Sequence, residues 1–227
     1  MAGSAFVGVI CGLESERRAL GPGLLENPGL RVAVSGARPA AAERAAAQMV
    51  SAGARLLVSW GLCGALSAGL ATGTLVVPRA VVRREGAQVV LHAPEGLIGA
   101  AGAQPIDRLY GSDEVVLSPH AKQALAVATG AAVVDMETHR VAAASAAGGI
   151  PCLALRAVSD AAGRALPALA ANAVDEAGRP RILAVLGGLL QNPGDVAALI
   201  RAGRDANAAH AALSRAVPAL TTAIKAG

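Results

Sequence analysis

The chain has 227 residues, 54% of them apolar but only 1% aromatic, and carries a formal net charge of +4. That length fits one α/β domain over residues 1–227, with a core built from Ala, Val and Leu rather than from rings. Arginines are scattered and not interleaved with aromatics, which argues against nucleic acid as a partner, whereas a weakly basic surface suits an anionic membrane or a phosphate-bearing ligand.

Ala5–Cys11 (AFVGVIC) reads as a buried first strand. No basic region precedes it and Glu14 and Glu16 come directly after it, which argues against a signal peptide. A helix starts in Gly12-Leu13-Glu14-Ser15-Glu16-Arg17-Arg18. Its acids either complement the helix dipole or face a cleft at the strand end. Leu30–Val34 is a second strand, and a Pro-initiated helix runs from about Ala40 to Ser51 with Arg38 at its entrance. Arg55–Trp60 is a third strand, entering a Gly-rich loop at Gly61-Leu62-Cys63-Gly64. The longest uncharged span, Leu56–Pro78, is broken by glycines and so is no membrane helix. The protein reads as cytoplasmic, with peripheral membrane contact left open.

Gly73–Arg83 (GTLVVPRAVVR) is a strand, and residues 86–106 read as a short hairpin and a flexible connection. Leu109–Leu117 holds Gly111-Ser112-Asp113-Glu114-Val115, and Pro119–Ala128 is a short helix. A strand ends at Val133–Val134, and a helix covers Glu137–Ala147 until Gly148, Gly149 and Pro151 stop it. Cys152–Val158 (CLALRAV) is the next strand. Arg156 inside that run requires a carboxylate partner if it is buried. Asp135 and Asp160 either cap the elements after them or project from the carboxyl edge of a sheet, where open α/β folds bind ligands. Residues 161–180 form a long excursion. Ile182–Leu190, Pro193–Ala202 and Asp205–Ile224 read as helices, either plain packing elements or an apolar wall with arginines (Arg179, Arg181, Arg201, Arg204, Arg215) around it. Cys11, Cys63 and Cys152 read as reduced, buried thiols. His92, His120, His139 and His210 form no ligand-spaced set, so neither metal nor cofactor is expected.

Met136-Glu137, with Arg156-Ala157-Val158-Ser159-Asp160 in the next strand, resembles the signature of the purine nucleoside phosphorylase and nucleosidase superfamily. Gly12 to Glu16 and the Gly61–Gly64 segment resemble it in the same order. The resemblance implies a three-layer α/β/α fold with a central mixed sheet. The part after residue 160 is divergent and adds helices. It also implies cleavage of the N-glycosidic bond of a purine nucleoside by a homodimer or higher homo-oligomer. Such a reaction passes through a sugar with oxocarbenium character. It needs an acid near the leaving base, groups that hold the ribose, and a nucleophile on the opposite face.

By resemblance Asp160 is the acid, supported by Ser159, and Glu137 accepts the ribose hydroxyls beside the Met136 backbone. Glu16 orients a water with help from Arg156. Gly61, Cys63 and Gly64 lie under the sugar and base. Arg38 and Arg17 are candidates for a phosphate site should phosphate be the nucleophile, although Glu16 favours water. Val115 takes the place of a base-stacking aromatic. Trp60 and Leu62 replace smaller or hydroxylated residues and suggest a more apolar pocket. Within the superfamily, Gly12–Glu16, Trp60–Gly64, Asn172–Arg181 and Leu199–Asp205 look most like the hopanoid-associated phosphorylase branch. That branch is linked to adenine removal from adenosylhopane, a nucleoside with a triterpenoid group. Two other readings differ in class. One is a nucleoside-binding regulatory module without turnover. The other is a flavodoxin-like nucleotide binder, which the acids after the first strand oppose.

Overall fold

The structure, a computed structural model, describes residues 5–83, 86–166, 175–179 and 196–226. Strand β1 (Phe6–Cys11) is buried along its whole length. It pairs in parallel with β2 (Leu30–Val34) on one side and with β3 (Ala54–Ala65) on the other. Its continuous apolar run is what a strand covered on both faces requires. Val7, Val9 and Cys11 point into one core and Phe6 and Ile10 into the other, in keeping with the two-residue period of a strand.

The remaining strands are β4 (Leu75–Val82), β5 (Gln88–Val90), β6 (Gln104–Gly111), β7 (Val133–Asp135) and β8 (Cys152–Asp160). They give the order β2-β1-β3-β7-β6-β4-β5, while β8 pairs in parallel with β3 and antiparallel with β4. β3, β7, β6, β4 and β8 therefore form a closed circuit of pairings. The sheet is mixed and curls on itself, which brings the ends of β3, β7 and β8 to one place.

One face carries α1 (Glu14–Ala19), α2 (Gly21–Leu25), α4 (Glu95–Ala101) and α7 (Val196–Ala226), through residues such as Leu20, Leu24, Leu97, Leu213 and Leu220. On the other face lie α3 (Pro39–Ser51) and α6 (Thr138–Ala147), with Ala42, Ala46, Val141 and Ala142 against Ile10, Leu57, Ala154 and Val158. A third, smaller cluster, under α5 (Pro119–Thr129), contains Leu66, Tyr110 and Val134. The alanines let helix backbones approach the sheet closely, so the scarcity of aromatics leaves no deficit of packing.

Several expectations are corrected. The Gly61–Gly64 segment is strand rather than loop, because β8 offers Arg156–Asp160 as partners along it, with an irregularity between Cys63 and Gly64. The connection before β6 contains α4, whose Leu97 and Ile98 are buried and whose end is set by Gly102 in the left-handed conformation. The regions read as two helices, Pro193–Ala202 and Asp205–Ile224, are one helix from Val196 onward. The buried stripe Ala209, Ala212, Leu213, Ala216, Leu220 and Ile224 holds it on the core, outweighing the cost of Gly203 and of the internal Pro218. Arg55 donates to the Ile224 carbonyl at 2.5 Å and so satisfies one of the last orphan acceptors of α7. The helix expected at Ile182–Leu190 lies outside the described residues. Among the described residues, no helix is long and apolar enough to cross a membrane.

Candidate active site

A cavity of about 370 Å³ opens where β1, β3, β7 and β8 end, with the 114–116 segment and α7 closing its sides. Strand register decides what faces it. Gly64 stands opposite both Val134 and Asp160, and Gly61 stands opposite Arg156. A side-chain carbon at Gly64 would lie 3.0 Å from an Asp160 oxygen. One at Gly61 would lie 2.5 Å from Glu16 and 2.6 Å from Arg156. The two glycines leave room for charged groups around β3.

Arg156 is wholly buried and forms the hub beneath the cavity. It pairs with Asp135 at 2.5 Å and, more distantly, with Glu137 at 3.7 Å. The same nitrogen, Nη2, also lies 2.5 Å from the Ser59 hydroxyl and 2.9 Å from that of Thr138, while Nε donates to Thr138 at 3.2 Å and Nη1 to the Leu62 carbonyl at 3.4 Å. Asp135 also accepts from the Thr138 backbone and hydroxyl. It therefore both satisfies the first amide of α6 and neutralises Arg156.

Glu16 is 3% exposed and sits in a cradle of backbone amides. Oε2 accepts from Gly12 at 2.7 Å and Leu13 at 2.8 Å, and Oε1 accepts from Leu62 at 2.8 Å. Each carboxylate oxygen has two lone pairs, so Oε2 is filled while Oε1 keeps one acceptor site. Trp60, fully buried, donates its indole N–H to the Glu16 carbonyl at 3.0 Å. It points into the core under α1 and not into the cavity, which corrects the expectation that Trp60 reshapes the pocket. Leu62 does line it.

Asp160 accepts from Ser159 at 2.8 Å and from the ammonium group of Lys122. The sequence reasoning missed Lys122. Its signal lay in α5, where Lys122 shares the i, i+3, i+4 face of Leu125 and Ala126, both packed against the small core cluster.

Of the expected site residues, Asp160, Glu16, Glu137, Met136, Gly64, Cys63, Val115 and Ser159 line the cavity. Gly61 and Arg156 lie just behind it. Arg17 and Arg38 are not brought to it. Arg17 is turned to Glu14 at 2.6 Å, while Arg38 reaches the Glu176 carbonyl at 3.2 Å and its carboxylate at 3.4 Å. Both find carboxylates nearer than the cavity, so neither takes the phosphate-binding place expected of it. Leu199, Ala202 and Ala206 of α7 supply an apolar wall, whereas Arg201, Arg204 and Arg215 are exposed. Burial raises the Cys63 thiol well above its ordinary value, which keeps it protonated and inert.

Burial pushes the Glu137 carboxyl from its ordinary 4.5 up to about 8, with Asp135 and Glu16 adding to the rise and Arg156 opposing it. Burial raises Glu16 as well, against the pull of Arg156 and of the three amides. At neutral pH the folded protein thus holds a proton on Glu137 that the unfolded chain has released. Stability falls as pH rises from about 4.5 through about 8, by at most about 1.4 kcal/mol per pH unit for this one group. Glu137→Gln is expected to flatten that slope in denaturant titrations between pH 5 and pH 9. Identical slopes in the two proteins would mean that Glu137 ionises normally.

The fold is that of the nucleoside phosphorylases and nucleosidases. A 5′-methylthioadenosine/S-adenosylhomocysteine nucleosidase from Neisseria meningitidis, solved with methylthio-immucillin-A, superposes with a TM-score of 0.71 at 18% identity, over 96% of this chain and 99% of that one. The corresponding Helicobacter pylori nucleosidase gives 0.69 at 15% identity, over 98% and 99% of the two chains. Futalosine hydrolase of Helicobacter pylori gives 0.69 at 15%, over 96% and 97%. No curated protein sequence matches the chain. The sequence matches the Phosphorylase superfamily over residues 23–110 and 106–190, and the chain belongs to that family.

Proposed function

We propose that the protein hydrolyses the N-glycosidic bond of an adenine nucleoside. The observation that carries this reading is one cavity lined by Asp160, clamped by Lys122 and Ser159, together with Glu137 and the amide-cradled Glu16. With a proton on one Asp160 oxygen and the other held by Lys122, the C1′–N9 bond breaks with its electron pair going to the purine as Asp160 passes that proton to the base nitrogen. A water held by the open acceptor site of Glu16 Oε1 adds to C1′ and gives its proton to that carboxylate. Glu137 holds the ribose hydroxyls through its carboxyl oxygens, and the Glu16 carboxylate on the far side favours the positive charge that develops on the sugar.

Water is preferred to phosphate on electrostatic grounds. Glu16, Glu114, Asp135, Glu137 and Asp160 line the cavity, and among the described residues lining it there is no Lys, Arg or His. Arg156 is already matched by Asp135, and Lys122 has its donors taken by Asp160 and two main-chain carbonyls. With Glu137 protonated, the other acids remain and the described lining offers no cation, so an anionic nucleophile is disfavoured there.

The finer reading is adenosylhopane as substrate, in hopanoid synthesis. Its support is the apolar wall of Leu13, Leu62, Val116, Leu166 and Leu199. The cavity is sized for a nucleoside head, so a triterpenoid would leave it along α7, which suits a substrate presented at a membrane surface. The alternative, methylthioadenosine or adenosylhomocysteine, is supported by the likeness of fold described above.

Adenine release from adenosylhopane and from methylthioadenosine, with and without phosphate and with the sugar product identified by mass, tests these readings. Adenine and a free ribosyl product without phosphate are expected. A sugar 1-phosphate formed only with phosphate would overturn hydrolysis. Cleavage of methylthioadenosine but not of adenosylhopane would overturn the hopanoid reading.

A further inference from the structure

We propose that Lys122 is the positioning residue of this site, setting the Asp160 carboxylate and the apolar wall of the cavity together. The inference rests on the hydrolytic reading, with Asp160 as the acid. Lys122 has no exposed surface, and a buried ammonium is tolerated only where its donors are matched. All three are. They reach the Asp160 carboxylate, the Ala161 carbonyl at 3.0 Å and the Arg164 carbonyl at 3.1 Å.

Two of those three partners are main-chain groups, so the lysine does more than balance a charge. It bends residues 160–164 around its Nζ, and the Arg164 amide closes the bend on the Ala161 carbonyl at 3.0 Å. The chain then returns to the segment leading into α5, where the Leu166 amide donates to the Leu117 carbonyl at 2.9 Å, and Leu166 lies in the cavity wall. Arg164 forms an ion pair with Asp205 of α7, the helix that contributes Leu199, Ala202 and Ala206 to the same wall. One ammonium group thus anchors both the acid and the wall segment beside it.

A lysine that served only to fill the core would lower stability without acting through Asp160. A positioning lysine slows the step that needs the acid and has nothing left to act on once the acid is gone. The test is a cycle of wild type, Lys122→Met, Asp160→Asn and the double variant. For each protein, kcat and KM for the adenine nucleoside that the wild type cleaves best are measured, together with the melting temperature. Lys122→Met is expected to lower kcat by roughly 30-fold or more with KM changed about threefold or less. In the Asp160→Asn background the same change is expected to alter kcat by about threefold or less. Full kcat in Lys122→Met, or a further large fall in the double variant, would overturn the proposal. The double variant leaves no unpaired carboxylate at this position, so its comparison with Asp160→Asn stands even if Lys122→Met alone does not fold. A wild type that cleaves no adenine nucleoside would overturn the functional reading itself, and this role with it.

Discussion

Asp160→Asn is expected to lower kcat for adenine release by roughly 10²- to 10⁴-fold while leaving KM within about threefold, the size of effect that removal of a general acid produces. The substitution separates chemistry from structure at this position. The asparagine carbonyl oxygen can still accept from Lys122, and its amide can donate to Ser159. Ser159 loses nothing, because its hydroxyl also lies 3.1 Å from the Cys63 carbonyl and can donate there. The buried hydrogen bonds therefore stay satisfied while the group that passes the proton disappears, and the cost is a lower melting temperature, because Lys122 loses its counter-charge. Steady-state kinetics with calorimetric titration of a nucleoside distinguish the outcomes. Binding without turnover in the variant, against turnover in the wild type, identifies Asp160 as the acid. Equal turnover in both would remove it from that role, and binding without turnover in both would favour the regulatory-module reading.

Glu16→Gln is expected to lower hydrolysis by roughly 10²-fold, with no recovery on adding phosphate. The mutation keeps the shape but not the chemistry of the cradle. If the new amide nitrogen takes the Oε2 position it faces the Gly12 and Leu13 amides, and at the Oε1 position it faces Leu62. In either orientation a donor meets a donor, at a cost of about 1–3 kcal/mol for each buried group left unsatisfied. The melting temperature should therefore fall together with the rate. A variant that retained hydrolysis would show that the water is oriented elsewhere. One that gained phosphate dependence would show that Glu16 excludes phosphate rather than serving water.

Much of the architecture can be read from local patterns. The apolar runs at Ala5–Cys11 and Cys152–Val158 and the Pro-initiated helices near residues 39 and 119 arise from periods, caps and breakers that neighbouring residues impose on one another. Glu16, Glu137 and Asp160 are legible as acids at the ends of strands, and Arg156 as a cation in need of a carboxylate. Neither the cavity they share nor the choice of partners is local information. Gly61–Gly64 is strand because β8 lies beside it, and the five-strand circuit exists because β7 and β8 each pair with strands distant in sequence.

The same reason explains the residues that sequence reasoning placed differently. Trp60, Arg17 and Arg38 sit next to site residues in the chain, yet the core, Glu14 and Glu176 take them, since a side chain goes to whatever three-dimensional partner lowers its free energy most. Lys122 lies far from Asp160 in sequence and comes to it only when α5 packs over the ends of β6 and β7. The sequence by itself determined the elements and the acids at their ends. The tertiary structure alone decided which acid meets which cation, because burial makes an unmatched charge costly and only the packed elements bring Asp135 to Arg156 and Asp160 to Lys122.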